Sequence, residues 1–528
     1  MANKYWAAGV SGNWNSILSW SDFATGTPAG AVVPGTGDDV FFNAASGTVT
    51  ATLDISPVVQ SVTCTGFTGT LAFGTNTISL NSTGTVFTGA TTMTVTGTPQ
   101  IILTDNSPTA RTITPTTVTE ANSISFRITA GTGGLTFTSG AVVCNLDFTD
   151  GTNPTGYAGA LSNNAITIYG NFLASTGMSA TGSNALTFAA TSGTKTINTA
   201  GVTFDRPFTF NGVGGTWQLQ AALTSGATRT CTLTSGTLDL VSYTLTTGLF
   251  SSNNTNARTI AFGTGNITVT SVSGTVFGGP TSTNTGLTIT GTAQVNVTGN
   301  GVTTRTVNPG NSLATSAPIS FTISAGSDTI NSTTGMTFNN LTFTSGFTGT
   351  FGNVSRSIFG NLTLDASITS FSSGASPLTF TGTGSRTITT ASETIDCPIT
   401  FDGVSGVWAM QDALTLGSTR ALTMTNGTLQ LKSGTTNTVG SFVTTGTTQK
   451  FLTSTNSTFQ AQISAASGVN AVTYLTIQDN YATGGATWDA TDSSNVDAGN
   501  NFGWSFSSTP ASSAQITMGL RSFTQFRG

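Results

Sequence analysis

From about residue 45 to residue 460 the chain alternates apolar and polar positions with a period of two, in runs of four to six such as TLAFG, TISLN, TMTVTG, QIILT, ISFRI, LTFTSG and AITIYGN. Thr, Val, Ile and Phe fill the runs, and Gly, Asn or Ser follows most of them within a few residues, the signature of short strands joined by tight turns. No stretch carries a helical period. The connections are too short for the crossovers of a βαβ sheet. The pattern therefore predicts an all-β chain, arranged as a solenoid, a tandem of sandwiches or a propeller.

An internal duplication chooses among these. Residues 208–240, FTFNGVGGTWQLQAALTSGATRTCTLTSGTLDL, align without a gap to residues 399–431, ITFDGVSGVWAMQDALTLGSTRALTMTNGTLQL, with 19 identities in 33 positions. Matches at Trp217/Trp408 and Arg229/Arg420 exceed what a Thr- and Gly-rich composition produces by chance. Shorter echoes keep the same order: GTVF at 84–87 and 274–277, TGT(P/A)Q at 96–100 and 290–294, NL(D/T)FT at 145–149 and 340–344, IYGN at 168–171 and IFGN at 358–361. The offset drifts between 190 and 195. Stacked coils tolerate such drift, because each touches only its neighbours. Sandwich domains would repeat near 90–100 residues with linkers between them, and neither is found. The expected fold is an elongated parallel β-solenoid (β-helix) of two superrepeats of about 190 residues, lying in a first block at residues 45–265 and a second at 266–460, with about 20–25 residues per coil. At about 4.8 Å per coil this makes a rod on the order of 100 Å long.

The two ends differ from the middle. Residues 1–44 carry Tyr5, Trp6, Trp14 and Trp20 among Gly and Asn, as expected of a cap over the terminal core and its strand edge. An aromatic sugar-binding platform of Trp6, Trp14 and Trp20 is the functional alternative. Residues 461–506 collect Asp479, Asp489, Asp492 and Asp497 with Trp488 and Trp504, and read as the second cap. Residues 507–528 form a Ser/Pro-rich link and an apolar-basic tail. There Met518, Leu520, Arg521, Phe523, Phe526 and Arg527 are candidates for docking to a larger particle.

Composition narrows the chemistry. Charged residues make up only 7% of the chain while apolar ones make up 37%, so this is not the high-charge, low-hydropathy profile of a disordered chain. With no His, the commonest general base and metal ligand are missing. Cys64, Cys144, Cys231 and Cys397 lie far apart without metal spacing and read as buried thiols. Neither a basic stripe for nucleic acid, nor a signal peptide, nor an 18-residue apolar run is present, so partners in nucleic acid or membrane are not expected. Paired carboxylates of a glycosidase would stack one coil apart. Asp479 and Asp497 come nearest, with Asp489 and Asp492 between them as weak binding candidates; Ca²⁺ binding there is a weaker alternative for want of a fixed ligand spacing. No phosphate loop, dinucleotide fingerprint or nucleophile elbow occurs, and neither cofactor nor metal is expected. Trp217 and Trp408 are open to sugar stacking or to the interior, and the alternation in GTWQLQ and GVWAMQ favours the interior.

NKYWAAGVSGNWNS, PGTGDDVFFNAASGTVT and ATWDATDSSNVDAGNNFGW resemble segments of the β-solenoid fibre and tailspike proteins of tailed bacteriophages, capsid-attached fibres included. The resemblance covers both ends and the texture of the middle. It implies a virion structural protein, often a homotrimer, made in the host cytoplasm, held by other virion proteins and meeting a host surface glycan or protein. Tailspikes with depolymerase activity carry an acidic cleft on the coil face, and no convincing one stands out here. A non-catalytic fibre is the expectation; a polysaccharide depolymerase and a bacterial adhesin are the alternatives.

Overall fold

A computed structural model describes residues 2–115, 119–151, 155–279, 286–310 and 319–507. The chain is all-β, a solenoid of about 20 turns whose strands stack in parallel sheets, with no barrel. Its described helical residues are three single 3-10 turns, Ile17–Ser19, Ala44–Ser46 and Glu120–Asn122. It divides into two compact units: residues 1–380 with 389–395, and residues 381–388 with 396–528.

In the first unit the period-two pattern sets both the strand and its inward face. Thr77–Leu80, Gln100–Leu103 and Ser125–Ile128 pair in parallel, Gln100 lying opposite Thr77 on one side and Ser125 on the other. Ile78, Ile101 and Phe126 therefore stack inside, as do Leu80, Leu103 and Ile128, all without exposure. Each such side chain contributes about 1.5–3 kcal/mol by leaving water. The duplicated GTVF strands, Gly84–Thr88 and Gly274–Gly278, even share an irregularity in register, at Thr85/Phe87 and Thr275/Phe277. The unit begins with an exception to the parallel rule, where Ala2–Trp6 pairs antiparallel with Trp20–Ser21.

The second unit stacks Gly406–Met410, Thr428–Leu431, Lys450–Ser454 and Leu475–Ile477 in parallel register. Near its C-terminal end Trp488 meets Trp504 edge to face, centroids 5.0 Å apart, and both rings lie near Phe442.

The long repeat has a packing cause. Trp217 and Trp408 are fully buried, each against the Phe two residues into its own copy, Phe210 at 5.8 Å and Phe401 at 5.0 Å. Glycines make the room: a Cβ on Gly236 would sit 3.2 Å from Cζ3 of Trp217, and one on Gly427 would sit 2.9 Å from that of Trp408. A half-buried ion pair is duplicated too, Arg229 Nε to Asp205 at 2.7 Å and Arg420 Nε to Asp396 at 2.8 Å. The interior assignment of both Trp residues follows from these contacts.

Composition alone gave no hint of the buried cations. Arg111, Arg206, Arg258, Arg305 and Arg356 are all at most 3% exposed. Arg111 and Arg305 open corresponding strands and donate from Nη1 to the carbonyl six residues back, Asp105 at 3.1 Å and Gly299 at 2.5 Å. Their Nη2 groups reach Ala130 O and Ala325 O at 2.8 and 2.6 Å. Arg258 donates likewise to Ser252 O, again six residues back. A turn that points carbonyls inward needs donors, and a guanidinium supplies five in a planar fork. Burial pulls the Arg206 pKa down to about 10, while the carbonyls of Ser162, Asn164 and Asn184 accept its protons.

Candidate functional site

Trp6, Trp14 and Trp20 have no solvent-exposed surface. Trp20 lies 5.0 Å from Trp6 and 4.8 Å from Trp14, edge to face in both cases, and Phe42 stacks on Trp6 at 5.4 Å. The Trp6 and Trp20 indoles donate to Val10 O and Trp14 O, both at 2.7 Å. This cluster fills the end of the coil stack, and it offers no ring face to a sugar; the platform expectation is corrected on that ground.

The C-terminal acids fall into separate turns. Asp489 Oδ1 accepts from the Thr491 backbone at 3.0 Å and its hydroxyl at 2.7 Å. Asp492 Oδ1 accepts in the same way from Ser494, at 2.9 and 2.5 Å. Asp497 Oδ1 accepts from Gly499 N at 3.0 Å and Asn501 Nδ2 at 2.7 Å. Asp479 is buried with φ +53° and accepts from Asn500 Nδ2 at 2.7 Å. The hydroxyl and then the backbone bonds hold Asp489 and Asp492 below the usual carboxylate range. A general acid needs the opposite shift. Among the described residues no group of three or more Cys, Asp or Glu side chains is placed to hold a metal ion. Of the thiols, Cys64, Cys231 and Cys397 are buried, and burial pushes Cys64 up to about 12. The six docking candidates, Met518, Leu520, Arg521, Phe523, Phe526 and Arg527, lie outside the described residues.

A site that sequence reasoning missed lies on an outward face of the first unit. Register places Thr77, Gln100, Ser125, Asn145, Asn171 and Thr196 one above another on successive coils. Asn145 Nδ2 donates to Ser125 Oγ at 3.0 Å, and Asn145 Oδ1 accepts from Asn171 N at 2.7 Å. Asn171 Oδ1 accepts from Thr196 N at 2.8 Å. Gly170 lets the amide come this close, since a Cβ there would stand 2.3 Å from Asn145 Oδ1. The second block repeats the device: Asn340 Nδ2 donates to Ser320 Oγ at 3.3 Å and Asn361 N donates to Asn340 Oδ1 at 2.8 Å, with Gly360 in the place of Gly170.

Two recesses open over the first ladder. One, of about 420 Å³, is lined by Thr77, Gln100, Glu120, Ser125 and Asn145. The other, of about 250 Å³, is lined by Gln100, Arg127, Asn145, Asp147, Asn171 and Thr196. Gln100 and Asn145 belong to both, so the two form one groove. Glu120, on its 3-10 turn, is tied across 71 residues to Thr191, whose Oγ1 and N donate to its carboxylate at 2.5 and 3.2 Å. Arg127 Nε donates to Asp147 Oδ2 at 2.9 Å, the two side chains being 33% and 15% exposed. Its terminal Nη groups make no hydrogen bond among the described residues, and neither does the Gln100 amide.

The duplicate lacks these features. Thr322 stands where the first block has Arg127, Thr342 where it has Asp147, and Gln294 matches Gln100. The Gln294 amide is already engaged, donating to Thr322 Oγ1, Asn296 Oδ1 and Val295 O, each at 3.1 Å. The available signal was the pair of mismatches ISFRI/ISFTI and NLDFT/NLTFT, which add a cation and an anion one coil apart on the same face.

The fold and these residues define the chain as a β-solenoid protein with a polar lateral groove. Neither the known protein families, nor the curated proteins, nor the solved structures contain a match to it.

Proposed function

We propose that the chain is a non-catalytic structural fibre of a bacteriophage particle, assembled as a homotrimer, held by other virion proteins and meeting a glycan or protein of the host surface. The reading is supported above all by what both copies of the duplicated block retain: the Trp and Gly of the interior, the Asp–Arg pair and the Asn ladder, all of which serve coil stacking. The resemblance of both ends to phage solenoid fibres supplies the setting. In the same reading the acids of residues 479–497 work as turn braces, not as a catalytic pair. The test is twofold. Antibody against this chain is expected to decorate purified particles, and purified protein incubated with host capsule or lipopolysaccharide is expected to release no oligosaccharide. Release that disappears in Asp489→Asn would establish the depolymerase instead.

A further inference from the structure

We infer that the open edge of the last coil, at Val496–Asp497 and Phe502, is a docking site for the chain's own residues 508–528, which seal it. This closure concerns the chain by itself and does not depend on the fibre reading.

The last described coil ends on unpaired backbone. Val496–Asp497 pairs with Thr476–Ile477, and no pairing forms on its other side among the described residues. Phe502 N donates to Asn480 O at 3.0 Å and Phe502 O accepts from Ala482 N at 2.8 Å, whereas the N–H groups of the flanking Asn501 and Gly503 meet no acceptor among the described residues. Apolar surface is uncovered at the same place. Phe502 is 65% exposed, with its ring 5.1 Å from that of Tyr481, and Val496 is 47% exposed. A bare strand edge beside apolar side chains is a template for pairing with other chains unless something covers it.

The sequence that leaves Ser507 matches this edge in three respects. Thr476 stacks under Val496, and one more coil of the same length leads from Val496 to Ile516. From Gln515 to Leu520 the chain places Ile516, Met518 and Leu520 at alternate positions, the period of a strand with one apolar face. Residues 461–507 hold Asp479, Asp489, Asp492 and Asp497 and no Lys or Arg, whereas residues 508–528 hold Arg521 and Arg527 and no acid. The two charge sets are complementary.

Other occupants fit less well. A second copy meeting this edge with its own would bring the exposed Asp492 and Asp497 against their like. A strand from any other protein competes with a segment tethered at Ser507, whose effective concentration is on the order of millimolar. Met518, Leu520 and Arg521 are on this account engaged by the chain itself before any particle is met.

Hydrogen exchange of the Asn501 and Gly503 amides in the full chain tests this. Wild type is expected to exchange them about tenfold more slowly than Met518→Asp, the size of one net hydrogen bond. Met518→Leu is expected to keep the protection, and the Ala482 amide, inside the stack, to be unchanged in both variants. Equal exchange in wild type and Met518→Asp overturns the inference, and so does protection that appears only when particles are added, which would assign the segment to docking. Oxidation of full chains carrying Phe502→Cys and Leu520→Cys together is expected to join the two cysteines within one chain. A disulfide formed instead between separately made Phe502→Cys and Leu520→Cys chains, mixed together, would give the edge to a second copy and overturn the inference too. Particles left unlabelled by antibody would sink the fibre reading and leave all of these readouts untouched.

Discussion

Arg305 and Asp328 form a two-pronged ion pair with both side chains wholly buried, Nε to Oδ2 and Nη2 to Oδ1, each at 2.8 Å. Arg111, its counterpart 194 residues earlier, keeps the same two carbonyl partners but faces the Tyr157 ring, 5.5 Å from its guanidinium carbon. Removing one partner of a buried pair strands the other. Asp328→Ala is therefore expected to destabilise its coils by about 3–5 kcal/mol. Arg305→Met in the Asp328→Ala background should cost less than the two single changes together, because the stranded charge is gone. Hydrogen exchange of the amides around residues 299–330 measures the cycle, and additive effects would show that the two groups do not act as a pair.

Gly236 and Gly427 have φ of +78° and +81°, and a Cβ on either would also meet carbonyl oxygens of its neighbouring coil, at 2.3 Å from Gly212 O and 2.7 Å from Gly403 O. Alanine at either position is expected to cost about 1–3 kcal/mol from the backbone alone, plus the displacement of the Trp ring. Near-UV circular dichroism should lose the Trp signal in proportion. A silent Gly236→Ala would mean that the ring is not held by this contact.

Asp489 and Asp492 titrate in a direction set by their turns. Their folded pKa values are depressed, so their contribution to stability is complete above the unfolded-state pKa and is lost as pH falls through the lower folded value. Carboxyl NMR titration should place Asp489 and Asp492 below ordinary Asp, and Thr491→Val and Ser494→Ala should move each back up. Values at or above the ordinary range would instead fit a general acid.

Asn145→Ala removes the acceptor for Asn171 N and is expected to cost about 0.5–1.5 kcal/mol, the net worth of one hydrogen bond that water can partly replace. Asn340→Ala should cost the same in the second block, at Asn361 N. Exchange of those two amides reads the effect directly, and protection unchanged in either variant would remove the ladder from the account of stacking.

The fold was legible in the sequence because period-two alternation and a drifting duplication both report coil stacking, and they correctly turned Trp217 and Trp408 inward. The N-terminal cap was half legible. Its Trp residues stand outside any alternating run, so nothing in their spacing told a buried cluster from an exposed platform. The arginine clamps were hidden for a different reason: a charged residue reads as solvated unless the carbonyls that surround it can be seen. The groove was half hidden: the ISFRI/ISFTI and NLDFT/NLTFT mismatches mark its ion pair, but Gln100 and Gln294 are the same residue, and only the bonds of their amides distinguish them.

The arginine clamps also change how the molecule meets other charged bodies. Among the described residues seven Lys and Arg side chains and two Asp side chains are buried, so the exposed charges are richer in acids than the composition suggests, while the formal total stays at −5. Another copy of the chain, or any anionic envelope it approaches, therefore meets acids first at close range, while at longer distance the repulsion is that of the formal net charge. Adhesion to such an envelope would strengthen as salt rises through the physiological range, where screening acts over about 8 Å.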